Sequence, residues 1–301
     1  MSALLKQHLK PLEKYFKVKD LVEICINAPG EVWLETFEGW TVKTDKSLTA
    51  RALNNLVSTL ATHRGQRFDE TTPFLATAIP EYGFRIQAVG DGLADSGITI
   101  SIRVAQSQRF NIETYMSKKD ATELKNAIKG GRTVLVAGGT SSGKTTLLNS
   151  MIRYIPEEAR LVVIEDTKEL VVDQPNTVRW LKSKTGTDVS QVTYGDIINS
   201  AMRVRPDRIL MGELDIQNTV PFLRLLNAGH AGSMATVHAN GTKEAIDAIV
   251  MNAQLHGLGG GAGIITQYAQ KSLDIVVYIE RRSRREFVAT AEYVNGGSSD
   301  S

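Results

Sequence analysis

The chain has 301 residues, 42% of them hydrophobic and 23% charged, enough for two folded domains with separate cores. Its 35 basic and 33 acidic residues leave a net charge of +2, which gives no basis for whole-surface binding of nucleic acid. One cysteine, Cys25, excludes an internal disulfide framework and any Cys-x-x-Cys metal module. With no secretory signal and no apolar stretch of membrane-spanning length, the sequence predicts a protein of a reducing compartment, cytosolic or peripherally attached.

Residues 1–19 carry Leu5, Leu9, Leu12 and Phe16 at helical spacing beside a stripe of Lys6, Lys10, Lys14 and Lys17, with Pro11 placed to break the helix. Such a segment can lie on an anionic membrane surface or pack on its own domain with solvated lysines; the second is the expectation. Strand patterns at 21–27 and 31–36 flank the turn Ala28-Pro29-Gly30, and Cys25 within them reads as a buried, inert thiol. A helix over 48–63 follows, with Leu53, Leu56, Val57 and Leu60 inward and Gly65 as its stop. Strands at 84–89 and 98–104 complete a small α+β unit.

The polar stretch 105–119 reads as a linker. The expected organisation is an N-terminal domain over 1–110, a linker over 111–119, a second domain over 120–294 and a disordered tail over 295–301. In the second domain, strand patterns at 133–137, 161–165, 208–211, 233–237 and 275–279 alternate with helical segments, which argues for a mostly parallel sheet covered on both faces. The glycine-rich 257–263 has no strand before it and reads as a flexible loop, not a dinucleotide fingerprint.

Chemistry concentrates where strands end. GGTSSGKTT, residues 138–146, follows an apolar strand and opens an apolar helix, and it contains Gly-x-x-x-x-Gly-Lys-Thr. Gly138 and Gly143 let the backbone curl so that amides converge on phosphate oxygens, beside the positive end of the helix dipole. Lys144 can reach the β- and γ-phosphates, and the Thr145 hydroxyl can sit on magnesium. Acids close two strand patterns: Glu165, Asp166 and Glu169 after 161–164, and Glu213 after 209–211. Carboxylates there can hold a metal or orient water, or they can simply cap helices in solvent. His230 and His238 lie in a segment of small residues, and His238 can sense a γ-phosphate or serve as a structural histidine. Arg203 and Arg205, and Arg85 and Arg103 on first-half strands, can supply cations for the developing charge, but spacing alone makes exposed, solvated arginines the default.

Taken in order, GGTSSGKTT, IEDTKEL, RPDRILMGE and GHAGSMATVHANG resemble the four boxes of the secretion traffic ATPases, the motors of type II secretion, type IV pili and type IV secretion. The boxes cover 133–241, and ICINAPGEVWLETFEGW and SIRV in the first half fit as well. The resemblance is nearest to the hexameric ATPase of type IV secretion and conjugative DNA transfer. It implies an α/β fold, a RecA-like P-loop NTPase motor preceded by a smaller α+β domain. It implies ATP held by Gly138, Gly139, Thr140, Ser141, Ser142, Gly143, Lys144, Thr145 and Thr146, and Mg2+ held by Thr145 with the aspartate box Glu165, Asp166 and Glu169. Glu213 matches the catalytic glutamate, His238 the histidine of the His box, and Arg85 and Arg103 the N-terminal-domain arginines that reach the nucleotide. The implied assembly is a homohexameric ring on the cytoplasmic face of the inner membrane, serving secretion-channel components without sequence-specific contact to nucleic acid. Each ATP cycle is implied to move the N-terminal domain relative to the motor.

One departure stands out. The family usually continues Gly-Glu-Ile/Leu-Arg with an acid three residues on, whereas here Asp215 replaces the arginine and Asn218 stands where that acid is found. Glu213 remains, so hydrolysis is still the expectation. The alternatives are a pilus assembly or retraction motor, a GTPase and a nucleotide-gated scaffold that does not hydrolyse. The GTPase rests on Ser117-Lys118-Lys119-Asp120, which precedes the phosphate loop instead of following it, and the scaffold rests on Asp215.

Overall fold

A computed structural model describes residues 1–104, 110–183, 188–259, 261–283 and 286–294. The expected tail over 295–301, residues 105–109 of the expected linker and residue 260 of the glycine-rich loop lie outside the described residues. The chain forms two compact units. One comprises Met1–Ser107 with Asp166–Glu169 and Leu181–Gln191; the other comprises Gln108–Glu165, Leu170–Trp180 and Val192–Ser301.

In the first unit α1 (Ala3–Leu9) and α2 (Glu13–Phe16) precede β1 (Leu21–Ala28), β2 (Glu31–Thr36) and β3 (Gly39–Thr44). Then come α3 (Ala50–His63), β4 (Phe74–Ala78), β5 (Arg85–Val89) and β6 (Thr99–Arg103). The strands form one antiparallel sheet in the order β3-β2-β1-β6-β5-β4. Alternation assigns its faces. Ile24, Ile26, Val32, Leu34, Ile86, Ile100 and Ile102 are buried with Leu5, Leu9 and Leu12 and with the α3 residues Leu53, Leu56, Val57 and Leu60. The N-terminal segment therefore packs on its own unit, and α1 stops at Leu9, just ahead of Pro11. Cys25 is half-buried against Ser101, and desolvation raises its pKa, in keeping with an inert thiol. Strands β3 and β4 carry no sequence expectation: both lie at sheet edges, and β3 leaves Trp40 and Val42 exposed.

Asp45, buried between β3 and α3, ties this unit together. Its carboxylate accepts from Tyr15 Oη (2.9 Å), Ser47 N (3.0 Å) and Ser47 Oγ (2.6 Å), and pairs with Lys14 Nζ at 2.7 Å. Burial alone would raise the Asp45 carboxyl, but the bonds from Lys14, Ser47 and Tyr15 outweigh it and hold it well below the usual carboxylate range. A folded-state value below the unfolded one, about 3.9, contributes stability above that pH, and the contribution is lost as acid protonates the native carboxylate. Urea midpoints of the native chain are expected to stay level from neutral pH to about pH 5 and to fall below about pH 4. Asp45→Asn, at about 2 kcal/mol lower stability near neutrality, should flatten that acid limb. An unchanged limb in the variant would remove Asp45 from the account.

The second unit begins with a 3-10 turn (Ile112–Thr114) and α4 (Lys118–Lys129). The segment expected as a linker is thus partly core, because Ile112 and Tyr115 are buried with the hydrophobic residues of α4. Next are β7 (Val134–Gly138), α5 (Lys144–Ile152), β8 (Leu161–Glu165), β9 (Thr177–Leu181), α6 (Tyr194–Arg203) and β10 (Arg208–Leu214). The chain closes with α7 (Thr219–Asn227), β11 (Met234–His238), α8 (Thr242–Leu255), α9 (Ala262–Ser272), β12 (Ile275–Arg281) and β13 (Phe287–Tyr293). The sheet order is β13-β12-β7-β11-β10-β8-β9, with β12, β7, β11, β10 and β8 parallel and β13 antiparallel on the end.

The central strands of this sheet are buried on both faces, as their largely apolar sequences require. Leu135, Ala137, Val162 and Ile164 join the core made with α6, α7, α8 and α9. Val134, Val136, Leu161 and Val163 join the opposite core, with α4 and α5. Arg208, at the start of β10, is buried and donates to the carbonyls of Ile128 (2.6 Å) and Lys129 (3.2 Å), so it satisfies the C-terminal end of α4. Edge strands β9 and β13 had no sequence expectation either.

Candidate nucleotide site

Two glycines shape the loop from β7 to α5. A Cβ at Gly138 would lie 2.4 Å from Ser142 Oγ and 2.6 Å from the Ile279 carbonyl oxygen. Gly143 has φ +91° and Ser141 φ +57°, both left-handed, so the backbone curls just before the helix. No side chain caps α5, whose first residues are Lys144, Thr145 and Thr146. Ser142 Oγ is buried without a hydrogen-bond partner among the described residues. An orphaned hydroxyl inside a curled loop at an uncapped helix start fits an oxygen-rich anionic ligand.

Lys144 is 8% exposed, and its ammonium donates to the carbonyls of Gly138 (2.9 Å) and Gly139 (2.8 Å). Its third neighbour is His238 Nδ1 at 3.2 Å. An ammonium only donates, so Nδ1 accepts and the ring proton sits on Nε2. Nε2 in turn lies 2.6 Å from Glu213 Oε1. The register explains the meeting: His238 at the end of β11 pairs directly with Gly138 at the end of β7, and β10 is the next strand over. Lysine, histidine and glutamate from three boxes are thus connected in one chain of contacts at the carboxyl end of the parallel sheet.

The acidic box is engaged with arginines. Glu165 accepts from the Leu170 amide (2.6 Å) and pairs with Arg179 of β9, whose other nitrogen donates to the Leu170 carbonyl (3.0 Å). Its side chain is fully buried, and Gly212 leaves the room, since a Cβ there would lie 3.3 Å from Glu165 Cγ. A desolvated carboxylate needs such a cation, and the Leu170 amide and Arg179 between them engage its two oxygens. Asp166 and Glu169 belong to the first unit, where one guanidinium, Arg85, bridges them at 2.7 and 3.0 Å. Arg103 faces Arg85 in the β5–β6 register and lies 4.0 Å from Glu23. Among the described residues no cluster of three or more His, Cys, Asp or Glu is placed to hold a metal. A magnesium ion that keeps its waters and phosphate oxygens needs only one or two protein ligands, which Thr145 at the start of α5 can serve.

Asp215, the departure from the family pattern, is a turn residue here. Its Oδ1 accepts from the amides of Gln217 (2.8 Å) and Asn218 (3.3 Å) ahead of α7, where a negative charge is favoured. Arg179 escaped the sequence reading because its strand did; nothing in the order of residues links it to Glu165.

A glycine-rich loop between a buried parallel strand and an uncapped helix, with lysine, glutamate and histidine converging at neighbouring strand ends, defines a P-loop nucleotide-binding domain of the α/β class. The chain belongs to the type II/IV secretion system protein family, whose profile matches residues 6–259. It is similar to the type IV secretion system protein VirB11 of Bartonella quintana, 31% identical with 86% of this chain and 83% of that protein covered. Among solved structures it is similar to the VirB11 ATPase from the Brucella suis type IV secretion system in complex with sulphate. That match has 27% identity and a TM-score of 0.51 over 97% of this chain and 94% of the other. The Legionella pneumophila ATPase DotB shares the fold, with a TM-score of 0.68 at 20% identity over 96% and 79% of the two chains. The expected RecA-like fold and the place among secretion traffic ATPases are therefore correct. Among the described residues no helix is long and apolar enough to cross a membrane.

Proposed function

We propose that the chain hydrolyses ATP to ADP and phosphate and works as a six-membered ring that powers type IV secretion or conjugative transfer. The observation that carries this reading is the contact chain Lys144–His238–Glu213 beside the curled loop. In the proposed cycle Lys144 leaves the Gly138 and Gly139 carbonyls for the β- and γ-phosphates, and the amides at the start of α5, with Ser142 Oγ, cradle the phosphate oxygens. Glu213 orients water and takes its proton, while His238 Nε2–H holds that carboxylate in place. Thr145 is the residue proposed to hold magnesium, which when bound shields phosphate charge. Arg85 and Arg103 are proposed as the cations for the transition state, with Asp166 and Glu169 holding Arg85 until then. The proposed place is the cytoplasmic face of the inner membrane, beside secretion-channel components, with the first unit's lysines available for peripheral contact.

Sedimentation of the purified chain with a non-hydrolysable ATP analogue is expected to show a six-copy species. A monomer at every concentration would contradict the ring. GTP should compete poorly with ATP, and GTP out-competing ATP would favour the GTPase reading.

A further inference from the structure

Strand β10 departs from regular pairing where Glu213 stands. Leu210 and Met211 pair with Met234 and Ala235, and the next partners are Leu214 and Val237. Three residue steps on β10 therefore oppose two on β11. One extra residue is a bulge, which re-aims a side chain and takes main-chain groups off the ladder. The residues between the paired positions are Gly212 and Glu213.

Two buried side chains bond to those carbonyls. Thr236 Oγ1, on β11, donates to the Gly212 carbonyl at 2.8 Å. Asn218 Nδ2, just ahead of α7, donates to the Glu213 carbonyl at 2.9 Å, and Asn218 Oδ1 accepts from the Asp215 amide at 2.8 Å. The Asn218 amide thus brackets Leu214 as the backbone of a neighbouring strand does. Thr236 is 2% exposed and Asn218 1%, so water does not compete for these bonds. Asn218 is itself braced, because Asp215 accepts from its amide while the Asp215 carbonyl accepts from Thr219 N (3.1 Å) and Thr219 Oγ1 (2.6 Å). Asn252 Nδ2 of α8 donates to that same hydroxyl at 3.2 Å.

We infer that Thr236 and Asn218 are positioning residues that hold the bulged backbone of Gly212 and Glu213 so that the Glu213 carboxylate stays on His238. The inference rests on the reading of Glu213 as the group that activates water. It also gives Asp215 a purpose in this chain, as the brace of Asn218.

Thr236→Val keeps shape and adds no charge but loses the donor, Thr236→Ser keeps the donor, and Asn218→Leu fills similar volume with neither bond. For each, kcat and KM for ATP are measured beside ADP affinity by equilibrium titration, which also counts folded sites. Thr236→Val and Asn218→Leu are expected to lower kcat per folded site by on the order of ten- to a hundredfold, the effect of a small misplacement of a reacting group. ADP affinity should stay within about twofold, because Lys144 and its loop are untouched, and Thr236→Ser should return most of the rate. A merely structural role would lower melting temperature and the number of folded sites without changing kcat per site. If Asn218→Leu does not fold, the two Thr236 variants decide alone. Unchanged kcat in Thr236→Val while Glu213→Gln abolishes turnover overturns this inference and leaves the proposed function intact. Equal losses of kcat and ADP affinity also overturn it, and an active Glu213→Gln removes the reading on which it rests.

Discussion

Glu213→Gln is expected to lower steady-state phosphate release by on the order of a thousandfold while ATP binding stays within about threefold of the native chain. Glutamine keeps the size of the side chain, and its oxygen can still accept from His238 Nε2, now 2.6 Å from Oε1. It cannot take a proton from water. The variant therefore separates geometry from proton transfer, which a deletion to alanine does not. Phosphate release and nucleotide titration on the same preparation make the comparison. Equal rates in the two proteins would take Glu213 out of the chemistry and return the strand-end acid to a structural role.

Lys144→Ala should instead strike binding and turnover together. The ammonium is buried on two loop carbonyls with His238 as its third neighbour, already at the mouth of the phosphate cradle. Two charge-assisted bonds to phosphate lost at about 1.5 kcal/mol each amount to about 3 kcal/mol, roughly a hundredfold in nucleotide affinity. The stabilisation that bound nucleotide gives to melting should shrink in parallel, since it scales with occupancy of the native state. A variant that still melts higher with ATP, by as much as the native chain, would place the nucleotide elsewhere. Because Gly138 and Gly139 also lose their donor, melting without ligand is the control for any general loosening of the loop.

What could be read in advance follows from burial. Strands β7, β8, β10 and β11 are largely covered on both faces, so their sequences are mostly apolar, and the phosphate loop between β7 and α5 is marked by its glycines. Edge strands β3, β4, β9 and β13 carry no such signature, because a strand with one open side can be mixed in composition. The same limit applied to Glu165. A carboxylate at a strand end looks alike whether it meets a metal or an arginine, and Arg179, which pairs with it, lies on one of the unread strands. Ile112 and Tyr115 were hidden within a polar stretch, where two apolar side chains suffice to make a short turn part of the core. The meeting of Lys144 with His238 comes from strand register between residues 94 positions apart, which the boxes imply only through resemblance. The β10 bulge was invisible for the same reason, since Thr236 and Asn218 find their carbonyls only once β10 and β11 are paired.

Release of phosphate from ATP, followed side by side for the native chain and Lys144→Ala at matched concentrations, decides whether the loop lysine is needed for cleavage. The native protein should release phosphate saturably and the variant at near the buffer rate. Comparable release by both would contradict that need, because the polyanion would then be cleaved without the residue that the loop is built to present.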